Sequence, residues 1–173
     1  MRSNTDTIGF EKLIHDYGGL IYRIASTYER RPALIDELVQ DAAFAIWKAV
    51  PHLQNQDNLK AYIARITHNI CISHVRRAVR RPETELQDVY IDEAPQPDEV
   101  TGQNLMRQRL YAAIFKLGLV ERQIIGLYLE GFSQKESSEI LGLKPNHIGV
   151  KLTRIRQKLK ALMEPSQTDN SYD

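Results

Sequence analysis

Residues 131–162 constrain the fold more than any other stretch, because they carry the start and stop signals of two consecutive helices. Ser133 and Glu136 have the S-x-x-E spacing of a capping box, which satisfies two backbone donors at the start of a helix. Gly142 can adopt the left-handed conformation that ends a helix, and Pro145 suits the first turn of the next one. The sequence therefore predicts a helix, a tight turn and a second helix.

The second of these helices has an apolar side and a cationic side. Its apolar residues recur at spacings of four and three, and we expect them to face a core: Ile148, Leu152, Ile155, Leu159 and Leu162. Its polar residues are candidate contacts to DNA: Asn146, His147, Lys151, Arg154, Arg156 and Lys158. A helix of this kind fits the major groove of DNA. A solvated surface helix could show the same pattern, but the capped helix and short turn before it favour a helix-turn-helix.

Charge is distributed in blocks, although the net charge is only +1. Residues 58–82 contain six Lys or Arg and no acid, whereas residues 82–104 contain seven acids and no base. Residues 105–163 then carry eleven bases and four acids. Two basic blocks separated by an acidic one indicate two nucleic-acid surfaces and a linker.

The apolar pattern has a helical period nearly throughout, so we expect an all-α protein. Two small helical domains are predicted at 9–81 and 105–163, with a flexible acidic linker at 82–104 and a disordered tail at 164–173. The first should be a bundle of three to four helices, the third of them at about 59–80. Its predicted apolar stripes include Phe10, Ile14 and Trp47.

Composition argues against several other classes of protein. The one cysteine, Cys71, excludes an internal disulfide and fits the reducing cytoplasm, where we expect the protein to reside. No apolar run is long enough to span a bilayer, so membrane insertion is not expected. The five histidines lie in separate segments, and no phosphate-binding loop or nucleophile motif is present. We therefore expect no catalytic residue, metal site or cofactor.

The second predicted helix carries a polar strip that suits a protein partner. Its residues continue from one turn to the next: Asp36, Glu37, Gln40, Asp41, Phe44 and Lys48. Acidic and amide groups beside an aromatic side chain make a plausible docking surface, because aromatic residues dominate interfaces. An ordinary solvated face is the alternative.

The third predicted helix carries cations together with aromatic and amide groups. The candidate DNA contacts here are Lys60, Tyr62, Arg65, His68, Asn69, Arg76, Arg77 and Arg80. Cations neutralise phosphates, and aromatic groups stack on unpaired bases. No acid balances these bases, which favours DNA binding over a solvated surface.

Three segments resemble the sigma-70 family of bacterial RNA polymerase sigma factors. DELVQDAAFAIWKAV at 36–50 is similar to the helix of region 2 that binds core polymerase, and LKAYIARITHNICISHVRR at 59–77 to the promoter-melting helix. Residues 117–159 resemble the C-terminal region 4. The short chain, with one linker between these regions, resembles the extracytoplasmic-function (ECF) subgroup.

This resemblance implies a transcription initiation factor without catalysis of its own. The strip at 36–48 would dock on the clamp helices of the polymerase β′ subunit. The loop at 52–58 and the helix at 59–80 would engage the −10 promoter element, with the loop taking a flipped base. Region 4 would bind the −35 element and the β flap, and an anti-sigma factor would be the usual regulator.

Two rival interpretations remain open on the sequence. One is a helix-turn-helix regulator that acts without polymerase, although residues 10–80 offer no ligand or phosphoacceptor domain. The other is an interaction adaptor whose basic faces are merely solvated. Co-purification with core polymerase separates the first rival from a sigma factor, and promoter-dependent transcription separates the second.

Overall fold

A computed structural model describes residues 9–53, 58–80 and 102–164, and every regular element within these ranges is helical. In chain order these elements are α1 (Phe10–Ala25), α2 (Pro32–Ala49), a 3-10 turn (Val50–His52), α3 (Leu59–Arg80), α4 (Gly102–Phe115), α5 (Leu119–Leu129), α6 (Gln134–Leu141) and α7 (Pro145–Met163). The all-α prediction is confirmed. Most of the predicted acidic linker, residues 54–57 of the predicted loop and residues 165–173 of the predicted tail lie outside the described residues.

Helices α1, α2 and α3 form the first bundle. Its core contains Ile21, Ile46 and Ile63, all without exposed surface. Pro32 begins α2, where its missing N–H costs no hydrogen bond. Cys71 is also buried in this core, and burial raises the pKa of its thiol to about 12.

The predicted burial of Phe10, Ile14 and Trp47 is wrong. Trp47 is 39% exposed, and its ring centroid lies 6.1 Å from that of Phe10, which is also exposed. Successive residues are about 100° apart around a helix. Because Ile46 faces the core, its neighbour Trp47 lies at the edge of the buried side of α2. Three exposed apolar side chains therefore lie on the outer surface of α1 and α2.

The connection between α1 and α2 is anchored by Glu29, which is buried. Its carboxylate accepts hydrogen bonds from the Arg31 side chain and from the backbone N–H groups of Arg30 and Arg31, and it contacts His74 Nε2 at 3.1 Å. Burial alone would raise the pKa of Glu29, but these hydrogen bonds together lower it to about 2. The stabilisation that the ionised Glu29 carboxylate gives to this connection is thus present at neutral pH. It is lost as the pH falls below the ordinary pKa of Glu towards 2.

Helices α4 to α7 form the second bundle. Ile114, Ile124, Ile148 and Ile155 lie in its core and are almost completely buried. The predicted inward position of Leu162 is wrong, because this side chain is 42% exposed. In the last turn of α7 it is the next residue, Met163, that packs against the core.

The predicted helix-turn-helix signals are confirmed at α6 and α7. The Ser133 hydroxyl accepts a hydrogen bond from the Glu136 N–H at 3.1 Å, and the Ser133 N–H donates to the Glu136 carboxylate at 2.7 Å. Gly142 ends α6 with a φ of 68°, which is left-handed, and Pro145 begins α7. Local interactions therefore determine where α6 begins, where it ends and where α7 begins.

Loss of the Ser133 cap should destabilise the second bundle measurably. We expect Ser133→Ala to lower the free energy of unfolding by about 1 kcal/mol, because it removes the acceptor for the Glu136 N–H. Ser133→Asp retains an acceptor at this position and is the matched control. Thermal unfolding followed by circular dichroism checks both variants, and an unchanged midpoint for Ser133→Ala would contradict a stabilising role for the cap.

Candidate protein and nucleic-acid interfaces

The predicted docking strip lies along one exposed side of α2. All six of its residues are exposed in the structure: Asp36, Glu37, Gln40, Asp41, Phe44 and Lys48. Phe44 is 50% exposed, with the Lys48 ammonium 4.1 Å from its ring centroid. Four acidic or amide groups and one cation thus surround an aromatic side chain that projects into solvent.

The strip continues into an aromatic surface that the sequence pattern assigned to the core. The ring centroids of Phe44 and Trp47 are 6.3 Å apart, and Phe10 of α1 lies beyond Trp47. Large exposed aromatic groups in contact with each other are typical of protein interfaces. The sequence did not reveal that Phe10 and Trp47 are exposed, because both follow the same apolar spacing as the buried residues of their helices.

Most of the predicted cations on α3 lie on the surface. Six of the eight candidate residues are exposed: Lys60, Arg65, Asn69, Arg76, Arg77 and Arg80. Tyr62 is half-buried, and the Arg65 guanidinium lies 5.6 Å from its ring centroid. The second half of α3 therefore offers exposed cations that can neutralise phosphates, and Tyr62 offers one aromatic ring near the start of the helix.

His68 does not join this surface, and its predicted position is wrong. Its side chain is 1% exposed, and Nδ1 lies 2.6 Å from the Tyr28 hydroxyl in the interior. Position 68 follows the buried Ala64 by four residues and precedes the buried Cys71 by three, so it lies on the core side of α3. Burial lowers the pKa of His68 to about 3, and the ring is therefore neutral at physiological pH.

The candidate DNA contacts on α7 separate into two groups. Asn146, His147 and Arg154 are exposed and Lys151 is half-buried, all within the first three turns. Further along the helix, two cations contact side chains of α5. The Arg156 guanidinium lies 5.9 Å from the Tyr128 ring centroid, and Lys158 donates to Glu121, whose pKa this hydrogen bond lowers.

Gly149 has a packing role that the sequence did not reveal. A Cβ atom at this position would lie 2.9 Å from the Gln134 amide oxygen of α6. A larger residue at position 149 would require the end of the Gln134 side chain to move, so Gly149 leaves room for this side chain between α6 and α7.

Among the described residues, no cluster of three or more His, Cys, Asp or Glu side chains could hold a metal ion. Nor does any described helix combine the length and hydropathy that crossing a membrane requires.

Comparison with known proteins identifies relatives of one kind. The family model for Sigma-70 region 2 matches residues 13–81. The ECF RNA polymerase sigma factor SigM of Mycobacterium tuberculosis is 23% identical over 159 residues, which are 91% of this chain and 79% of SigM. The RNA polymerase sigma factor CnrH of Cupriavidus metallidurans is 26% identical over 165 residues, covering 90% of this chain and 86% of CnrH.

A solved structure shares the fold across most of the chain. The sigma factor RpoE of Bartonella quintana, in a co-crystal structure with the anti-sigma factor NepR, aligns with a TM-score of 0.72 at 25% identity. The alignment covers 91% of this chain and 97% of the RpoE chain. The similarity thus includes both helical bundles.

Proposed function

We propose that this chain is a sigma factor of the ECF subgroup of the sigma-70 family, and we assign one step of transcription initiation to each of its surfaces. A sigma factor binds core RNA polymerase, directs it to promoters and helps to open the DNA. Sigma factors are non-enzymatic initiation factors, so each step depends on binding. We assign residues 9–81 to region 2 and residues 105–163 to region 4, with residues 82–104 as the linker between them.

We assign the binding of core polymerase to the docking strip on α2. Its partner is the pair of clamp helices of the β′ subunit. The exposure of Phe44 among the acidic residues Glu37 and Asp41 supports this assignment, because an aromatic anchor with charged neighbours provides both affinity and orientation. Phe10 and Trp47 lie next to this strip and enlarge the apolar area available to the partner.

We assign the −10 element to the exposed side of α3 and to the loop before it. Arg76, Arg77 and Arg80 contact phosphates, whereas Tyr62 and Asn69 contact unpaired bases. His68 makes no contact with the DNA, since its ring is buried in the first bundle. These contacts favour the opening of the promoter DNA, because groups that stack on bases bind single-stranded DNA more tightly than the duplex.

We assign the −35 element to the first three turns of α7. Asn146 and His147 lie at the start of the helix, where helix-turn-helix proteins contact base edges, and Lys151 and Arg154 follow on the same side. Asn suits adenine, and Arg or Lys suits guanine or phosphate. Arg156 and Lys158, engaged with α5, have at most a secondary role in this readout.

The observation that carries the proposal is the exposure of three chemically distinct surfaces on α2, α3 and α7, in the order of the family's functional regions. The β flap is a second polymerase contact for region 4. An anti-sigma factor is the expected regulator, by analogy with the NepR complex of the similar RpoE. Transcription takes place in the cytoplasm, where the protein would act.

Neutralisation of the α3 arginines should reduce the salt dependence of promoter binding. For the complex with core polymerase, we expect Arg76→Gln, Arg77→Gln and Arg80→Gln each to lower the slope of log K against log salt by about one unit, since each removes one phosphate contact. Filter binding over a range of salt concentrations measures this slope. Arg109→Gln on α4, also exposed, is the control, and wild-type slopes for all three α3 variants would exclude phosphate contacts by these residues.

A further inference from the structure

The two bundles are in apolar contact, and this contact covers part of the proposed DNA-binding side of α3. Leu127 of α5 and Phe132, which lies between α5 and α6, are buried in the core of the first bundle rather than in that of the second. Ile140 and Leu141 of α6 also pack against the first bundle. The second bundle therefore contributes side chains to a hydrophobic core that belongs to region 2.

Charged groups hold the same contact together. The Arg23 guanidinium of α1 donates two hydrogen bonds to the Glu130 carboxylate, at 2.8 and 2.9 Å. The Glu130 side chain is almost completely buried, so the ion pair with Arg23 compensates the cost of burying the carboxylate. The Lys60 ammonium donates to the Glu130 backbone carbonyl at 2.7 Å and lies 4.8 Å from the Phe132 ring centroid.

These contacts involve the start of the DNA-binding side of α3. Lys60 is engaged with the second bundle, and Tyr62 and Arg65 line a cleft whose opposite wall is formed by Glu136, Glu139 and Ile140 of α6. Two carboxylates thus face the position where a phosphate backbone would lie. DNA and α6 cannot occupy this side of α3 together.

His68 lies directly beneath the contact. A Cβ atom on Gly126 of α5 would lie 3.2 Å from His68 Cε1, so α5 packs tightly over the imidazole ring. His68 Nε2 is buried and has no hydrogen-bond partner among the described residues. Cys71 on α3 and Arg122 on α5 are ionisable groups that interact electrostatically with Tyr28, the hydrogen-bond partner of His68.

We propose that this contact between the bundles, secured by Arg23 and Glu130, is an autoinhibitory latch that keeps the free protein off DNA and is released when His68 is protonated. The proposal rests on the assignment of α3 to the −10 element. In the closed form α6 covers the start of α3, and binding to promoter DNA requires the bundles to separate. Separation removes α5 from His68 and gives its Nε2 access to water.

The effect of acid follows from the two states of His68. In the closed form burial holds the pKa of His68 at about 3. Exposure to water returns the pKa towards its ordinary value of about 6.5. The closed form is therefore stable above about pH 6.5. Below this pH, the ratio of closed to open form falls by about tenfold per pH unit.

The first test is a charge swap in the full-length chain. Fluorescence resonance energy transfer between labels at Glu11→Cys on α1 and Gln157→Cys on α7 reports whether the bundles are together, and the buried Cys71 will not react. Arg23→Glu and Glu130→Arg should each shift the equilibrium towards the open form by about tenfold or more, since each leaves two like charges in contact. The double variant restores an ion pair and should close again.

Affinity for a single-stranded oligonucleotide with the −10 sequence should rise in both single variants and fall again in the double variant. The two substitutions change net charge in opposite directions, so bulk charge cannot explain an increase in both. Unchanged energy transfer in both single variants would overturn the latch. Open bundles without tighter DNA binding would overturn its autoinhibitory role and the assignment of α3, while leaving the contact itself intact.

The second test is a titration. Energy transfer in the wild-type chain should fall between pH 7 and pH 5.5, as the ratio of closed to open form drops by about tenfold. His68→Leu removes the titrating group and keeps an apolar side chain, so its energy transfer should stay constant over this range. The same pH dependence in His68→Leu as in the wild type would overturn the role of His68.

Discussion

Replacement of Ile155 with Ala is expected to lower the stability of the second bundle by about 2–5 kcal/mol. Ile155 has no exposed surface and lies among Ile114, Ile124 and Ile148, so the truncation leaves a cavity that these rigid neighbours cannot fill. A loss of this size is a large fraction of the stability of a small domain. Promoter recognition at the −35 element should be lost with it, because α7 packs on this core through Ile148, Ile155 and Leu159.

Urea unfolding and binding to promoter DNA measure the two consequences for Ile155→Ala. Val150→Ala is the matched control, since Val150 is exposed on the same helix and its truncation opens no cavity. The control should change stability by no more than about 0.5 kcal/mol. Equal stability of the two variants would contradict the placement of Ile155 in the core.

Charge reversal on the docking strip should have the largest effect on partner binding. We expect Glu37→Lys combined with Asp41→Lys to weaken binding to core RNA polymerase by about 100-fold or more, because like charges placed across an interface cost several kcal/mol. Both side chains are exposed, so the folded structure should be retained. Affinity for core polymerase, measured by fluorescence anisotropy of a labelled chain, checks this expectation.

A second charge reversal separates a specific interface from bulk electrostatics. Glu11→Lys combined with Glu164→Lys changes the net charge by the same amount at exposed positions outside the strip. This variant should bind core polymerase nearly as well as the wild type. Equal losses in the two double variants would mean that the docking strip has no special role.

Features with local chemical causes could be predicted from the sequence. The bounds of α3 match the expected range of 59–80, and the capping box at Ser133 and the left-handed Gly142 fall where their residue types require them. The exposure of the strip on α2 was also predictable, because charged residues at helical spacing are seldom buried. In each case the signal lies within a few residues of the feature it determines.

Features that depend on tertiary contacts could not be predicted in this way. Trp47 and Leu162 follow the apolar period but lie at the edge of the surface that their neighbours cover. His68 is polar and yet buried, since its hydrogen bond comes from Tyr28, forty residues earlier in the chain. The ion pair between Arg23 and Glu130 spans 107 residues, and no local pattern announces it.

The central claim is that this chain directs RNA polymerase to promoters, and reconstituted transcription tests it most directly. Core RNA polymerase from the same organism is incubated with genomic DNA fragments, with and without the purified chain, and the 5′ ends of the transcripts are mapped. The account predicts new start sites that share −10 and −35 elements, require the chain and disappear with the Glu37→Lys and Asp41→Lys double variant. Identical start sites with and without the chain, or sequence-specific DNA binding that needs no polymerase, would contradict it.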